Sequence, residues 1–205
     1  MPRKTPGNKA ATGQRNTLRI IGGQWRGRKL QFPDVPGLRP TADRVRETLF
    51  NWLQGWVLDE NCLDMFAGSG ACGLEALSRG ARSAVFVDAS RDASASIQAH
   101  LALLGAENAS VVTAKAEQWL ATNTANSVSG LAGKFGLVFL DPPFADQILP
   151  DIALQLESSG ILKPRAQIYL EAGQDLAALP LPANWTARKN LRAGAVYYGL
   201  YERRA

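Results

Sequence analysis

Ten residues constrain this chain more than any others. Asp64-Met65-Phe66-Ala67-Gly68-Ser69-Gly70-Ala71-Cys72-Gly73 join a short apolar run, Cys62–Met65, to a helix-favouring stretch, Cys72–Arg79. Gly68, Gly70 and Gly73 carry the spacing G-x-G-x-x-G, and a second apolar run, Ala84–Asp88, closes on an acid 20 residues after Gly68. The glycine pattern alone is weak, because any tight turn uses glycine. A strand before it, a helix after it and an acid ending the next strand are the context that gives it weight. Glycines let a ligand approach the backbone closely, and the second-strand carboxylate can accept from two ribose hydroxyls. The motif therefore points to a parallel α/β sheet and to an adenosine-containing ligand. Asp64 narrows the choice. A carboxylate three residues before the glycine turn repels a dinucleotide pyrophosphate but suits an ammonium group, such as the methionine moiety of S-adenosylmethionine. A plain cap on the following helix is the structural alternative for Asp64.

The remainder of the chain supports that architecture. After Asp88 come a helix over Asp92–Leu104, a strand at Ser110–Thr113, a short helix at Ala116–Thr122 and an apolar run, Leu137–Leu140. A further helix, Gln147–Glu157, leads to a strand at Gln167–Leu170, and Trp185–Asn190 with Val196–Tyr201 reads as a terminal hairpin around Ala193-Gly194. Short apolar strands alternating with helices predict a doubly wound, mostly parallel sheet covered on both faces. Upstream, Leu18–Ile21 and Trp25–Phe32 flank Gly22-Gly23, which reads as a second, small hairpin turning on the two glycines. Thr41 is placed to cap a helix of about Ala42–Gln54. The expected organisation is a basic disordered tail at 1–16, a hairpin-and-helix extension at 17–54 that contacts the partner, and an α/β domain at 55–205.

Asp141-Pro142-Pro143-Phe144 ends the fourth strand of that domain, at the same carboxyl edge as the glycine turn, where open α/β sheets bind ligands. Two prolines fix the backbone and remove its donors, leaving carbonyls and the Asp141 carboxylate as an acceptor-only corner. Such a corner suits an exocyclic amine, which offers two N–H donors. Phe144 adds a flat face on which a base can stack. The plainer alternative is a rigid strand exit with a core phenylalanine. Methyl transfer from a sulfonium to a held amine is an in-line displacement needing alignment and electrostatics, with no covalent nucleophile and no expected metal.

Charge points to the partner. Residues 1–46 hold 11 Lys+Arg against Asp34 and Asp43, a net +9, while the rest of the 205-residue chain carries 12 Lys+Arg and 16 acids, a net −4. A basic segment on a mildly acidic body predicts a polyanionic partner; a merely solubilising tail is the alternative for its first 16 residues. Only two cysteines occur, Cys62 and Cys72, without metal-ligand spacing, and the single histidine, His100, belongs to no nucleophile motif. No apolar run reaches the roughly 20 residues that span a bilayer, and the basic N-terminus lacks a secretory apolar stretch, so the cytoplasm is the expected compartment.

Two further stretches carry a resemblance. Arg39-Pro40-Thr41-Ala42-Asp43-Arg44-Val45-Arg46-Glu47-Thr48-Leu49-Phe50-Asn51, with Ile20-Ile21-Gly22-Gly23-Gln24-Trp25-Arg26-Gly27-Arg28 upstream, closely resembles the RsmD family of bacterial 16S rRNA guanine-N2 methyltransferases. The likeness covers about residues 18–203. It implies a class I, Rossmann-like methyltransferase that uses S-adenosylmethionine, leaves S-adenosylhomocysteine and acts on one guanine of 16S rRNA. The substrate would be an assembled or assembling 30S particle, and the enzyme a monomer. Carried over by position, Asp64, Phe66, Ala67, Gly68, Gly70, Asp88, Ala89 and Ala116 would contact the cofactor. Asp141, Pro142, Pro143 and Phe144 would hold the target amine and base, and Arg26, Arg28, Arg39, Thr41 and Arg44 the RNA. Two readings fit Trp25, stacking on RNA or packing on the body. Glu171, ending the fifth strand, reads as a sheet-end carboxylate. The chain departs from the family at Ala114-Lys115-Ala116, since Lys115 cannot accept from an adenine amine, which leaves backbone near Ala116 for that contact. Rival readings are an adenine or cytosine amino-methylase, a non-catalytic RNA-binding module and a nicotinamide oxidoreductase. The intact Asp64, Asp88 and Asp141 argue against the second, and Asp64 and the Asp-Pro-Pro-Phe corner against the third.

Overall fold

The computed structural model describes residues 15–33, 43–125, 130–131 and 133–204. A seven-stranded sheet forms its centre. The strands β3 (Asn61–Met65), β4 (Ser83–Asp88), β5 (Ala109–Thr113), β6 (Phe135–Leu140) and β7 (Leu162–Ala172) are parallel. A terminal hairpin, β8 (Trp185–Ala193) and β9 (Val196–Arg203), adds two antiparallel strands through β9. The order across the sheet is β5-β4-β3-β6-β7-β9-β8. The chain reverses its direction of winding between β3 and β6, so their carboxyl ends open a crevice, the usual ligand site of such sheets.

Helices cover both faces because the central strands bury both of theirs; every residue of β6 is buried. One layer holds α1 (Asp43–Trp52), α2 (Ala71–Ser78) and α3 (Arg91–Leu104), packed on Cys62, Phe86, Leu137, Phe139 and Tyr169. The other holds α4 (Ala116–Thr122) and α5 (Leu149–Ser158), packed on Leu63, Met65, Val138 and Ile168. The even-odd split of strand residues between the layers is the period-2 alternation of a pleated strand.

A separate two-stranded ribbon, β1 (Arg15–Arg19) paired with β2 (Lys29–Pro33), rides on the first layer. Leu18, Ile20, Leu30 and Phe32 are buried in the same cluster as α1, α2 and α3, and the His100 ring on α3 hydrogen-bonds the Gln31 carbonyl at 3.0 Å. The expected turn at Gly22-Gly23 is corrected here. The strands end at Arg19 and resume at Lys29, and Trp25, Arg26 and Arg28 lie in the connecting loop rather than on a strand. The two glycines instead let that loop lie against the end of α2. Gln24 donates its N–H to the Ser78 carbonyl at 2.7 Å, and a Cβ on Gly23, where φ is +76°, would sit 1.8 Å from that oxygen. Trp25 packs partly buried against the body, with its N–H on Ser78 Oγ.

Three smaller differences have local causes. The helix expected from Gln147 begins at Leu149, because Gln147 itself adopts a left-handed φ of 50°. Strand β7 starts five residues earlier than its apolar run, its polar Lys163–Arg165 stretch lying at a register shift against β6. The helix expected after a Thr41 cap is seen within the described residues from Asp43; Arg39, Thr41 and all of the tail but Arg15 and Asn16 lie outside them.

Candidate active site

The glycine turn is built by close approach. Gly68 and Gly70 take φ of 54° and 75°, conformations that cost an L side chain about 1–2 kcal/mol. Phe66 accepts that strain with φ of 61°, at the point where β3 gives way to the turn. Gly73 must be glycine for another reason: a Cβ there would lie 2.3 Å from the Phe86 ring and 3.0 Å from Asp64 Oδ2. Its absence lets the first turn of α2 donate the Gly73 N–H to Asp64 Oδ2 at 2.8 Å. The carboxylate therefore caps α2, as the structural alternative had it, and also lines the crevice.

Burial dominates the electrostatics of Asp64. It is 4% exposed, and desolvation pushes its pKa up to about 8, against the lowering by the Gly73 N–H. Burial thus favours the neutral form, and a nearby cation would favour the ionised one. Asp88, half-buried at the end of β4, is clamped by backbone: Gly68 N–H donates to Oδ2 at 2.7 Å and Ser90 N–H to Oδ1 at 2.8 Å. Each oxygen keeps a second lone pair for a ligand hydroxyl. Ala89 follows, exposed, while Ala116, at the start of α4, is buried beside the exposed Lys115.

The Asp-Pro-Pro-Phe corner stands next to this turn. Strands β3 and β6 are neighbours in register, with Met65 opposite Leu140, so Asp141 leaves the sheet beside Phe66. Asp64, Phe66, Gly68, Cys72, Phe139, Asp141 and Tyr169 line one cleft of about 40 Å³. That volume admits the end of a ligand, and anything longer must run along the open edge toward Asp88. A larger cavity, about 330 Å³, opens on the far side of the corner between Pro142, Pro143, Phe144, Leu149, Glu171 and Gly173. Phe144 is 40% exposed at its mouth, in contact range of Gly173, and so is not a core residue. Both cysteines are buried and their thiols pushed up by desolvation, which removes them as nucleophiles. Among the described residues, no cluster of three His, Cys, Asp or Glu is placed to hold a metal ion, and no helix is long and apolar enough to cross a membrane.

The basic residues divide. Arg46 is fully buried, donating to the Arg19 carbonyl and Asp43 and facing Glu75 at 3.7 Å. It is a structural residue. Arg44, two residues earlier and so on the opposite side of the same helix, is exposed. Arg26 and Arg28 are exposed on the loop whose Gln24 and Trp25 dock on Ser78, at the end of α2 away from the glycine turn. Glu171, read from the sequence as a sheet-end carboxylate, does stand near the end of β7. It is 5% exposed, accepts the Tyr169 hydroxyl at 2.7 Å and lines the larger cavity. Its position after a buried tyrosine on an apolar strand was the available signal.

Comparison with known proteins gives this geometry its family. The family model described as Conserved hypothetical protein 95 matches residues 18–202. Ribosomal RNA small subunit methyltransferase D of Escherichia coli K12 is 47% identical over 198 residues, covering 97% of this chain and 94% of that protein. This chain belongs to the RsmD family. The Haemophilus influenzae protein of the same name is 40% identical over 187 residues, covering 90% of this chain and 93% of its own. The solved Escherichia coli protein yhhF superposes on the RsmD-family chain with a TM-score of 0.83 at 47% identity, over 93% of this chain and 99% of that one. SMU.776, solved in complex with S-adenosylhomocysteine, matches at 14% identity with a TM-score of 0.70, over 97% of this chain and 58% of that one, a likeness of fold alone. The expected α/β, Rossmann-like methyltransferase fold with its C-terminal antiparallel hairpin is the one observed.

Proposed function

We propose that this RsmD-family chain methylates the exocyclic N2 amine of one guanine in 16S rRNA, using S-adenosylmethionine. Its substrate is an assembled or assembling 30S particle in the bacterial cytoplasm, and it acts as a monomer. The observation that carries this reading is one cleft lined by both Asp64 and Asp141. One carboxylate faces the place for a cationic ligand, and the other faces the place for an amine. The names of the Escherichia coli and Haemophilus influenzae relatives support rRNA as the substrate class.

The residues present fit the cofactor. Asp64 would hold its ammonium group, and Phe66, Ala67, Gly68 and Gly70 would pass along its methionine end, where the missing Gly73 Cβ keeps the carboxylate reachable. Asp88 would take the ribose hydroxyls, with Ala89 and Ala116 nearer the base. When bound, the cofactor supplies a sulfonium methyl group open to direct in-line displacement. Asp141 and the carbonyl at Pro142 accept the two N2 hydrogens, turning the amine lone pair toward the crevice. Phe144 stacks the base, a contact worth about 1–3 kcal/mol in nucleic-acid complexes. As N2 is alkylated its proton passes to Asp141 or through it to water. Exposed Arg26, Arg28 and Arg44, with Arg39 and Thr41, contact RNA phosphates and make residues 17–54 the RNA-facing part of the molecule.

The test uses tritiated S-adenosylmethionine with 30S particles, naked 16S rRNA or duplex DNA from a strain lacking the enzyme. Label in rRNA that digests to N2-methylguanosine supports the reading. Label in DNA alone, in adenine or in nothing overturns it. Asp141→Ala abolishes transfer and leaves S-adenosylhomocysteine binding by calorimetry within about threefold; loss of both would move Asp141 into the cofactor site.

A further inference from the structure

We infer that Glu171, held by Tyr169, is the residue that selects guanine. The inference rests on the guanine-N2 reading above and names the group that reads the base. Leu140 and Leu170 are partners in the parallel pairing of β6 with β7, so Asp141 and Glu171 are the next residues on adjacent strands. The two acidic residues thus leave the sheet side by side, their backbones at the strand spacing of about 4.8 Å. Glu171 is 5% exposed, yet it lines the 330 Å³ cavity together with Pro142 and Phe144. Phe144 itself comes within contact range of Gly173, two residues after Glu171, so the phenylalanine and the end of β7 share one wall of that cavity. Tyr169, which borders the smaller cleft with Asp141, donates its hydroxyl to Glu171 Oε1 at 2.7 Å and fixes the carboxylate's orientation.

A carboxylate only accepts, so the pair demands a base edge that presents adjacent donors. Guanine does, with N1–H next to the N2 amine. Adenine and cytosine place a ring-nitrogen lone pair beside their amines, and that lone pair would face a carboxylate oxygen inside a low-dielectric pocket. Asp141 takes N2–H while Glu171 takes N1–H. Accepting from N1–H also pushes electron density through C2 onto N2, the nucleophile. Sites that hydrogen-bond a specific substrate proton reject analogues lacking it far more strongly than apolar pockets reject a methylene.

The probe is 2-aminopurine, which keeps the 2-amine and replaces N1–H by a lone pair. Small-subunit rRNA is ligated around a synthetic oligonucleotide carrying guanine or 2-aminopurine at the mapped target and reconstituted into particles. Wild-type enzyme prefers guanine in kcat/KM. In Glu171→Gln that preference falls about tenfold or more, because the amide N–H can face the N1 lone pair. Tyr169→Phe shifts it in the same direction by less. Comparing two substrates within each variant cancels any loss of folded protein and the missing O6 of the analogue. A second readout needs no turnover: with S-adenosylhomocysteine present, the rise in 2-aminopurine fluorescence on unstacking gives a tighter Kd for Glu171→Gln than for wild type. Equal losses on both bases would overturn the inference and leave Glu171 a structural support. Wild-type labelling of a base other than guanine would instead overturn the function on which it rests.

Discussion

Asp64 ties a helix to a strand and, in the proposed function, also meets the ligand. Its Oδ2 ties the first turn of α2 to β3 through the Gly73 N–H, while burial holds its pKa near 8. The unfolded carboxyl titrates near 3.9, so between about pH 4 and 8 the native state holds a proton the unfolded state has lost. This contribution to stability is complete below the unfolded pKa and is lost as pH rises through 8. Binding a cation requires the ionised form. S-adenosylhomocysteine binding at pH 7 is therefore expected to release close to one proton, measured by calorimetry in buffers of different ionisation enthalpy. Asp64→Asn should release none and show a flatter stability profile between pH 5 and 9. Equal proton counts for the two proteins would mean that another group titrates. The acid, the glycines and Asp88 were all legible in the sequence because their roles are local, fixed by a strand, a turn and a helix. Glu171 was not, because what distinguishes it is the register of two strands far apart in the chain.

At the scale of elements, Glu75 governs how the N-terminal ribbon is seated. It is fully buried on α2 and accepts the backbone N–H groups of Ile21 and Gly22, each at 2.8 Å, as well as Arg79 Nε at 2.7 Å, with Arg46 close by. Removing one partner of a buried charged network leaves the others uncompensated, at a cost of roughly 3–5 kcal/mol. Glu75→Ala should lower the urea midpoint accordingly, and hydrogen exchange should show the Ile21 and Gly22 amides losing protection first. Retained protection at those amides would mean that the apolar contacts of Leu18, Ile20, Leu30 and Phe32 suffice. This docking also explains why Gly22-Gly23 misled a local reading. Two glycines between apolar runs describe a hairpin equally well, and nothing nearby in the chain reveals that the Ser78 carbonyl occupies the space a Cβ would need. The C-terminal hairpin was readable because Gly194, at φ 63°, supplies its tight turn locally.

For the whole molecule, the uneven charge now has an address. Arg26, Arg28 and Arg44 are exposed on the helical layer that carries the ribbon, whereas Arg46 is spent inside it. RNA affinity should fall steeply with salt while S-adenosylhomocysteine affinity changes little. Replacing Arg26 and Arg28 together by alanine should reduce the slope of log K against log salt by roughly 1 to 2, as measured by filter binding across a salt titration. An unchanged slope would place the phosphate contacts elsewhere. The docked loop has a kinetic consequence as well. Arg26 and Arg28 stand on a segment bolted to α2 by Ser78 and Glu75, so RNA binding as proposed would meet this loop already in place. Added salt should then slow association through lost electrostatic steering more than it hastens dissociation.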